Sequence, residues 1–183
     1  MRIGLSHSTH IADKIAVDLS RSPYIKFTKG IDSTSEKCRE LVYLNLKREH
    51  DLENRVDEII EENEDEIEYH LADEKELFKM IKKKLAIEEG LLLNYEERFS
   101  DLSHTIAREL LSNNLIELPV KETLVKNIVF DAIEEYLNQR LNIEDSVIEK
   151  IRNYKKKIFP GTDEYHIIFQ KLYEDELRAK GMK

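Results

Sequence analysis

Residues 124–141 read Leu124-Val125-Lys126-Asn127-Ile128-Val129-Phe130-Asp131-Ala132-Ile133-Glu134-Glu135-Tyr136-Leu137-Asn138-Gln139-Arg140-Leu141. Apolar side chains fall at Leu124, Val125, Ile128, Val129, Ala132, Ile133, Tyr136, Leu137 and Leu141. With 3.6 residues per turn, that spacing winds them onto one stripe of a helix. Lys126, Asp131, Glu134, Glu135 and Arg140 take the opposite face. A half-buried strand would alternate every second residue instead. The stretch therefore predicts an amphipathic α-helix.

The same rhythm runs outward in both directions. Downstream, Ile143, Val147, Ile148, Ile151, Tyr154 and Ile158 predict a second helix, with Asn142 as its cap. Pro160-Gly161 is a stop, after which Thr162 caps a last helix carrying Tyr165, Ile168, Phe169, Leu172, Tyr173 and Leu177. Upstream, Ile11, Ala12, Ile15, Ala16 and Leu19 mark a short helix. Ser33-Thr34-Ser35-Glu36 fits a capping box for a helix through Cys38, Leu41, Val42, Leu44 and Leu46. Val56, Ile59, Ile60 and Ile67 continue the helical character. Leu77, Phe78, Ile81 and Leu85 predict a helix ending near Gly90, and Leu102, Ile106, Leu110 and Leu111 another over about 101–112. Nothing reads as a strand beyond short apolar pieces such as Leu115-Ile116. The fold class expected is all-α, a helical bundle.

Composition agrees. Five Gly and three Pro in 183 residues leave little material for the turns of an all-β sandwich or barrel. Cys38 is the only cysteine, which excludes a disulfide scaffold and suits a reducing compartment. The longest apolar run is Leu41-Val42-Tyr43-Leu44, far short of the roughly 20 residues a membrane span needs. No long apolar core follows Arg2, so the start does not read as a signal peptide, and a cytoplasmic protein without a membrane partner is expected. The net charge of −9 argues against a broad nucleic-acid footprint while leaving room for a local basic face.

Four short segments recur in the same order. Leu5-Ser6-His7 returns as Leu102-Ser103-His104, and His10–Ile15 as Thr105–Leu110. Asp51–Val56 returns as Asn142–Val147, and Glu68-Tyr69-His70 as Glu164-Tyr165-His166. The offsets are 97, 95, 91 and 96 residues, the pattern a duplication with small insertions leaves. The expected organisation is two related helical halves, 1–94 and 95–183, meeting near Gly90–Asn94. The first carries a net −6 and the second −3, so the apolar pattern is shared and the surface is not.

Several segments together resemble a known family. They are Asp51-Leu52-Glu53 with Val56-Asp57-Glu58-Ile59-Ile60, and Glu76–Ala86 (ELFKMIKKKLA). In the second half they are Ser103-His104-Thr105-Ile106, Pro160–Tyr165 (PGTDEY) and Leu172–Arg178 (LYEDELR). The chain is similar over nearly its whole length to the bacterial domain of unknown function family 507. It departs from that family's pattern at His166-Ile167-Ile168, where a more polar mixture is expected. The resemblance implies a small cytoplasmic helical protein and brings no activity or catalytic residue with it.

Reactive groups are sparse. A carboxylate-bridged di-iron site in a bundle wants paired Glu-x-x-His, and no Glu stands three residues before any of the six His. His7-x-x-His10 can offer two imidazoles to a metal, but reads better as surface or capping histidine. Asp101-x-x-His104 and Asp163-x-x-His166 place a carboxylate one turn before an imidazole, and an ordinary helix contact explains both. No Gly-x-Gly phosphate loop is present, and Cys38 sits among apolar residues as an inert thiol. No cofactor or metal is expected.

Charge runs say more. Residues 57–76 hold 11 acidic groups against Lys75 alone, a solvated helix face or linker. Two basic clusters follow, Lys79, Lys82, Lys83 and Lys84, then Lys150, Arg152, Lys155, Lys156 and Lys157. These are the candidate contacts for a partner or a phosphate backbone. The sequence thus points to a non-enzymatic protein-interaction or scaffold module, through an unknown protein partner or self-association. The alternative is a nucleic-acid-associated protein using the two basic clusters.

Overall fold

The computed structural model describes residues 3–65, 73–117 and 121–181. The protein is an all-α helical bundle with almost no strand. The elements are α1 (His7–Ser20), β1 (Lys26–Phe27), α2 (Ile31–Glu62), α3 (Glu74–Glu89), α4 (Tyr95–Ser112), β2 (Ile116–Glu117), α5 (Thr123–Arg152) and α6 (Asp163–Ala179). They form two compact units, residues 1–130 and 131–183, with α5 running from the first into the second.

In the first unit α1 lies along α2, and α3 and α4 pack against α2 as well. α1 buries Ile11, Ala12, Ile15, Ala16 and Leu19. α2 answers with Thr34, Cys38, Val42, Leu46, Leu52 and Val56. The far end of α2 holds α3 through Leu52, Val56, Leu85, Ala86 and Leu91, with Ile59, Ile60, Phe78 and Ile81 partly covered. β1 and β2 pair antiparallel, Lys26 opposite Glu117 and Phe27 opposite Ile116. The Thr28 amide extends the pairing by donating to the Leu115 carbonyl at 3.0 Å. In the second unit α6 buries only Leu177. Tyr165, Phe169 and Tyr173, one turn apart, stack with centroids 6.0 and 5.8 Å apart.

Caps explain several helix ends. Asp73 accepts from the Lys75 and Glu76 amides, Asn94 from Glu97 and Thr162 from Tyr165. Gly90 ends α3 in the left-handed region (φ 63°), and Leu91 donates back to Ala86 at 2.8 Å.

Several expected boundaries differ: α4 begins at Tyr95 and not near 101, α5 ends at Arg152 short of Tyr154 and Ile158, and two further differences have a clear cause. The helices expected to meet at Asn142 are one helix, Thr123–Arg152, because the buried stripe Ile133, Tyr136, Arg140, Ile143, Val147 and Ile151 keeps its phase through the asparagine. The expected capping box at Ser33–Glu36 lies inside α2. That helix opens at Gly30, whose φ of 85° turns the chain sharply out of β1. Ile67, Tyr69, His70 and the middle of the acidic run lie outside the described residues.

The element order repeats: a helix, a two-residue strand, a long helix and a third helix, of 14, 2, 32 and 16 residues and then 18, 2, 30 and 17. A single shift of 91 residues carries many buried positions onto buried positions. It carries Ser8, Ile11, Ala12, Ile15, Ala16 and Leu19 onto Phe99, Leu102, Ser103, Ile106, Ala107 and Leu110, all buried. It also carries Thr34, Cys38, Val42, Glu49, Leu52 and Val56 onto Val125, Val129, Ile133, Arg140, Ile143 and Val147, again all buried. Lys26 and its strand partner Glu117 are also 91 residues apart. Only the Asp51–Asn142 match in the sequence has this offset. The His10 match, at 95, slips by about one helical turn, which an amphipathic helix tolerates in its pattern.

Candidate interaction surface

The first basic cluster divides. Lys79, Lys83 and Lys84 are exposed on α3. Lys82 turns inward, its Nζ 2.9 Å from Glu49 Oε1 and 2.7 Å from Glu53 Oε1. Arg98 of α4 donates from Nη1 to the other Glu49 oxygen at 2.6 Å and is 2% exposed. Its guanidinium lies 5.2 Å from the Tyr95 ring centroid and 5.1 Å from that of Phe99. Lys82 is thus part of a clasp that fastens α3 and α4 to α2, and not the free surface cation expected.

Burial alone would raise the Glu49 carboxyl. The hydrogen bonds from Lys82 and Arg98 outweigh that and hold it below its ordinary value. Burial likewise works against the Lys82 ammonium, and the bonds it donates to Glu53 and Glu49 overcome it, raising Lys82 above its ordinary value. The sequence held a signal for this clasp: Glu49 and Glu53 continue the buried stripe of Val42 and Leu46, and Arg98 begins that of Leu102 and Ile106. A charge in phase with an apolar stripe needs an opposite charge nearby.

The second cluster divides too. Lys150 pairs with Glu176, and Lys156 with Glu164 at 2.6 and 2.9 Å. Arg152, Lys155 and Lys157 are exposed, the two lysines in the non-helical stretch before α6. Shifting Glu49 and Lys82 by 91 gives Arg140 and Tyr173, which are also in contact. Arg140 donates to the Tyr173 hydroxyl from Nε at 2.8 Å and from Nη2 at 2.5 Å. Both contacts span 33 residues, one an ion pair and the other a guanidinium on a phenol.

The most exposed large apolar side chains lie on α3 and on or just before α6. α3 buries only Leu85 and Ala86, and leaves Met80 69% and Ile87 73% exposed two turns apart. On α6 and just before it, Ile167 and Phe159 are 68% and 67% exposed. A groove of about 380 Å³ runs between α2 and α3, lined by Asp57, Ile60, Glu74, Lys75, Phe78 and Lys79.

The remaining candidates do not assemble into a site. Among the described residues, no three His, Cys, Asp or Glu side chains are grouped to hold a metal. His104 and His166 are exposed. Cys38 is fully buried, which pushes its thiol up to about 12. No described helix is long and apolar enough to cross a membrane. The family described as "Protein of unknown function (DUF507)" matches residues 1–182. No curated protein matches the chain.

Proposed function

We propose that this chain, which belongs to the DUF507 family, is a non-enzymatic helical interaction module made of two related halves, 1–94 and 95–183. One observation carries the reading: the third helix of each half, α3 and α6, buries so little of its apolar surface. Apolar side chains two turns apart on one helix form a strip, and exposed strips of this kind mark contact sites more often than scattered single residues do. The 91-residue shift supports the two-half organisation. The same inner frame is kept in both halves, while the outer faces of α3 and α6 differ: Met80 and Ile87 correspond to Lys171 and Arg178.

Site-specific photo-crosslinking tests this in living cells. A photoreactive residue in place of Met80, Ile87 or Ile167 is expected to give discrete protein adducts, while one in place of exposed Glu40 gives none. Absence of adducts from all three positions would reject the module.

A second reading, association with nucleic acid, is supported by the exposed Lys79, Lys83 and Lys84 and by Arg152, Lys155 and Lys157. It expects RNA or DNA binding that weakens steeply with salt and falls on reversal of Lys83 and Lys84. No retardation of either nucleic acid at low salt removes it.

A further inference from the structure

We infer that the groove between α2 and α3 is a self-association surface whose occupant is the same groove of a second copy of this chain. The inference rests on the interaction-module reading and names its partner. The floor of the groove is apolar, with Ile60 from α2 and Phe78 from α3, both half-buried. Its walls differ in charge. The α2 wall is acidic: Asp57 lines the groove, and Glu61 stands one turn further along the same side of the helix. The α3 wall presents Lys75 and Lys79, with Glu74 at the first turn.

Asp57, Glu61, Lys75 and Lys79 are all exposed. Among the described residues none of them is in an ion pair. This contrasts with Lys82, Arg55 and Lys47, whose carboxylate partners are nearby. The two walls therefore hold opposite charges that the fold does not pair.

A two-fold dimer brings one patch onto itself, so that each contact occurs twice. Such a contact is favoured when a single patch carries both members of each pair. With the two-fold axis running along the groove, so that the two grooves lie parallel, the acidic wall of each copy meets the lysine wall of the other, while the Ile60–Phe78 strips meet between them. A uniformly acidic or uniformly basic patch would repel its own copy. The exposed Met80 on the same helix enlarges the apolar part of the contact.

The test is a charge swap in the full chain, read by analytical ultracentrifugation. The wild type is expected to show a concentration-dependent mass reaching twice that of one chain, weakened at high salt. Asp57→Lys with Glu61→Lys, and separately Lys75→Glu with Lys79→Glu, should each weaken self-association at least tenfold. Mixing the two variants should restore a dimer containing one of each, and one chain carrying all four changes should dimerise again. Circular dichroism on every variant separates lost pairing from lost folding, and the four-change chain keeps the test open if one pair of changes unfolds the protein. A wild type that stays monomeric to about millimolar concentration overturns the inference, since a Kd weaker than that is a free energy of only about 4 kcal/mol. So does retained dimerisation in both two-change variants, or failure of the mixture to pair. Crosslinked adducts to a different protein, with a monomeric wild type, would leave the interaction module standing and remove only the second copy as its partner.

Discussion

Glu49 is the residue on which the first unit turns. Its two oxygens bind Lys82 and Arg98, which reach it from two other helices. Removing one member of a buried ion pair leaves the other without compensation. Glu49→Ala and Arg98→Ala are each expected to destabilise the chain by about 3–5 kcal/mol in urea titrations. The pH dependence follows from the signs. A carboxyl held low in the folded state contributes stability above its ordinary value of 4.5, and the contribution is lost as pH falls through the lower folded value. An ammonium held high contributes below 10.5 and loses its contribution as pH rises through the higher folded value. The stability difference between wild type and Glu49→Gln should therefore shrink below about pH 4.5 and stay flat near neutrality. Cys38 gives a simpler check. Its buried thiol should resist a thiol reagent in native protein at pH 8 and react at once in denaturant; immediate native reaction would contradict its burial. The burial of Cys38 was readable from its apolar neighbours; the buried phase of Glu49 and Arg98 was readable too, whereas their pairing with each other and with Lys82 was not, because it depends on how three helices meet.

Helices were legible where a periodic stripe coincides with a local stop signal. Gly90 is such a case: its φ of 63° suits glycine, so Gly90→Ala should cost about 1 kcal/mol, and Asp73→Ala at the other end of α3 a similar amount. Thermal melts followed by circular dichroism would show both, and an unchanged melt for either would mean that its cap does not hold the helix. The boundaries that sequence placed wrongly share a cause. Asn142 and Ser33 are good capping residues, but a cap acts only if the chain leaves the helix there. At Asn142 burial of Ile143 and Val147 keeps α5 going. At Ser33 the β1–β2 pairing fixes how the chain arrives, and Gly30 makes the turn three residues earlier. Such short strands carry almost no periodic signal, which is why Leu115-Ile116 hinted at β2 and nothing hinted at β1.

Across the described residues the order of helices and the spacing of buried positions recur. α1, α2, α4 and α5 carry most of the buried residues, while α3 and α6 bury few. The sequence matches pointed to a repeat, but the 91-residue shift emerged only from which side chains are buried. Amphipathic helices resemble one another at every turn, so letters alone leave the phase open. Lightly buried helices should open at low free energy even in an otherwise stable chain. Hydrogen exchange on the full-length protein, diluted until monomeric, measures this directly. The expected result is slow exchange across α1, the Cys38–Val56 part of α2, and Leu102–Leu110 of α4, with α3 and α6 exchanging at least a hundredfold faster. Equal protection of α3, α6 and α1 would contradict the account, because those two helices would then be as firmly held as the core and not available to a partner.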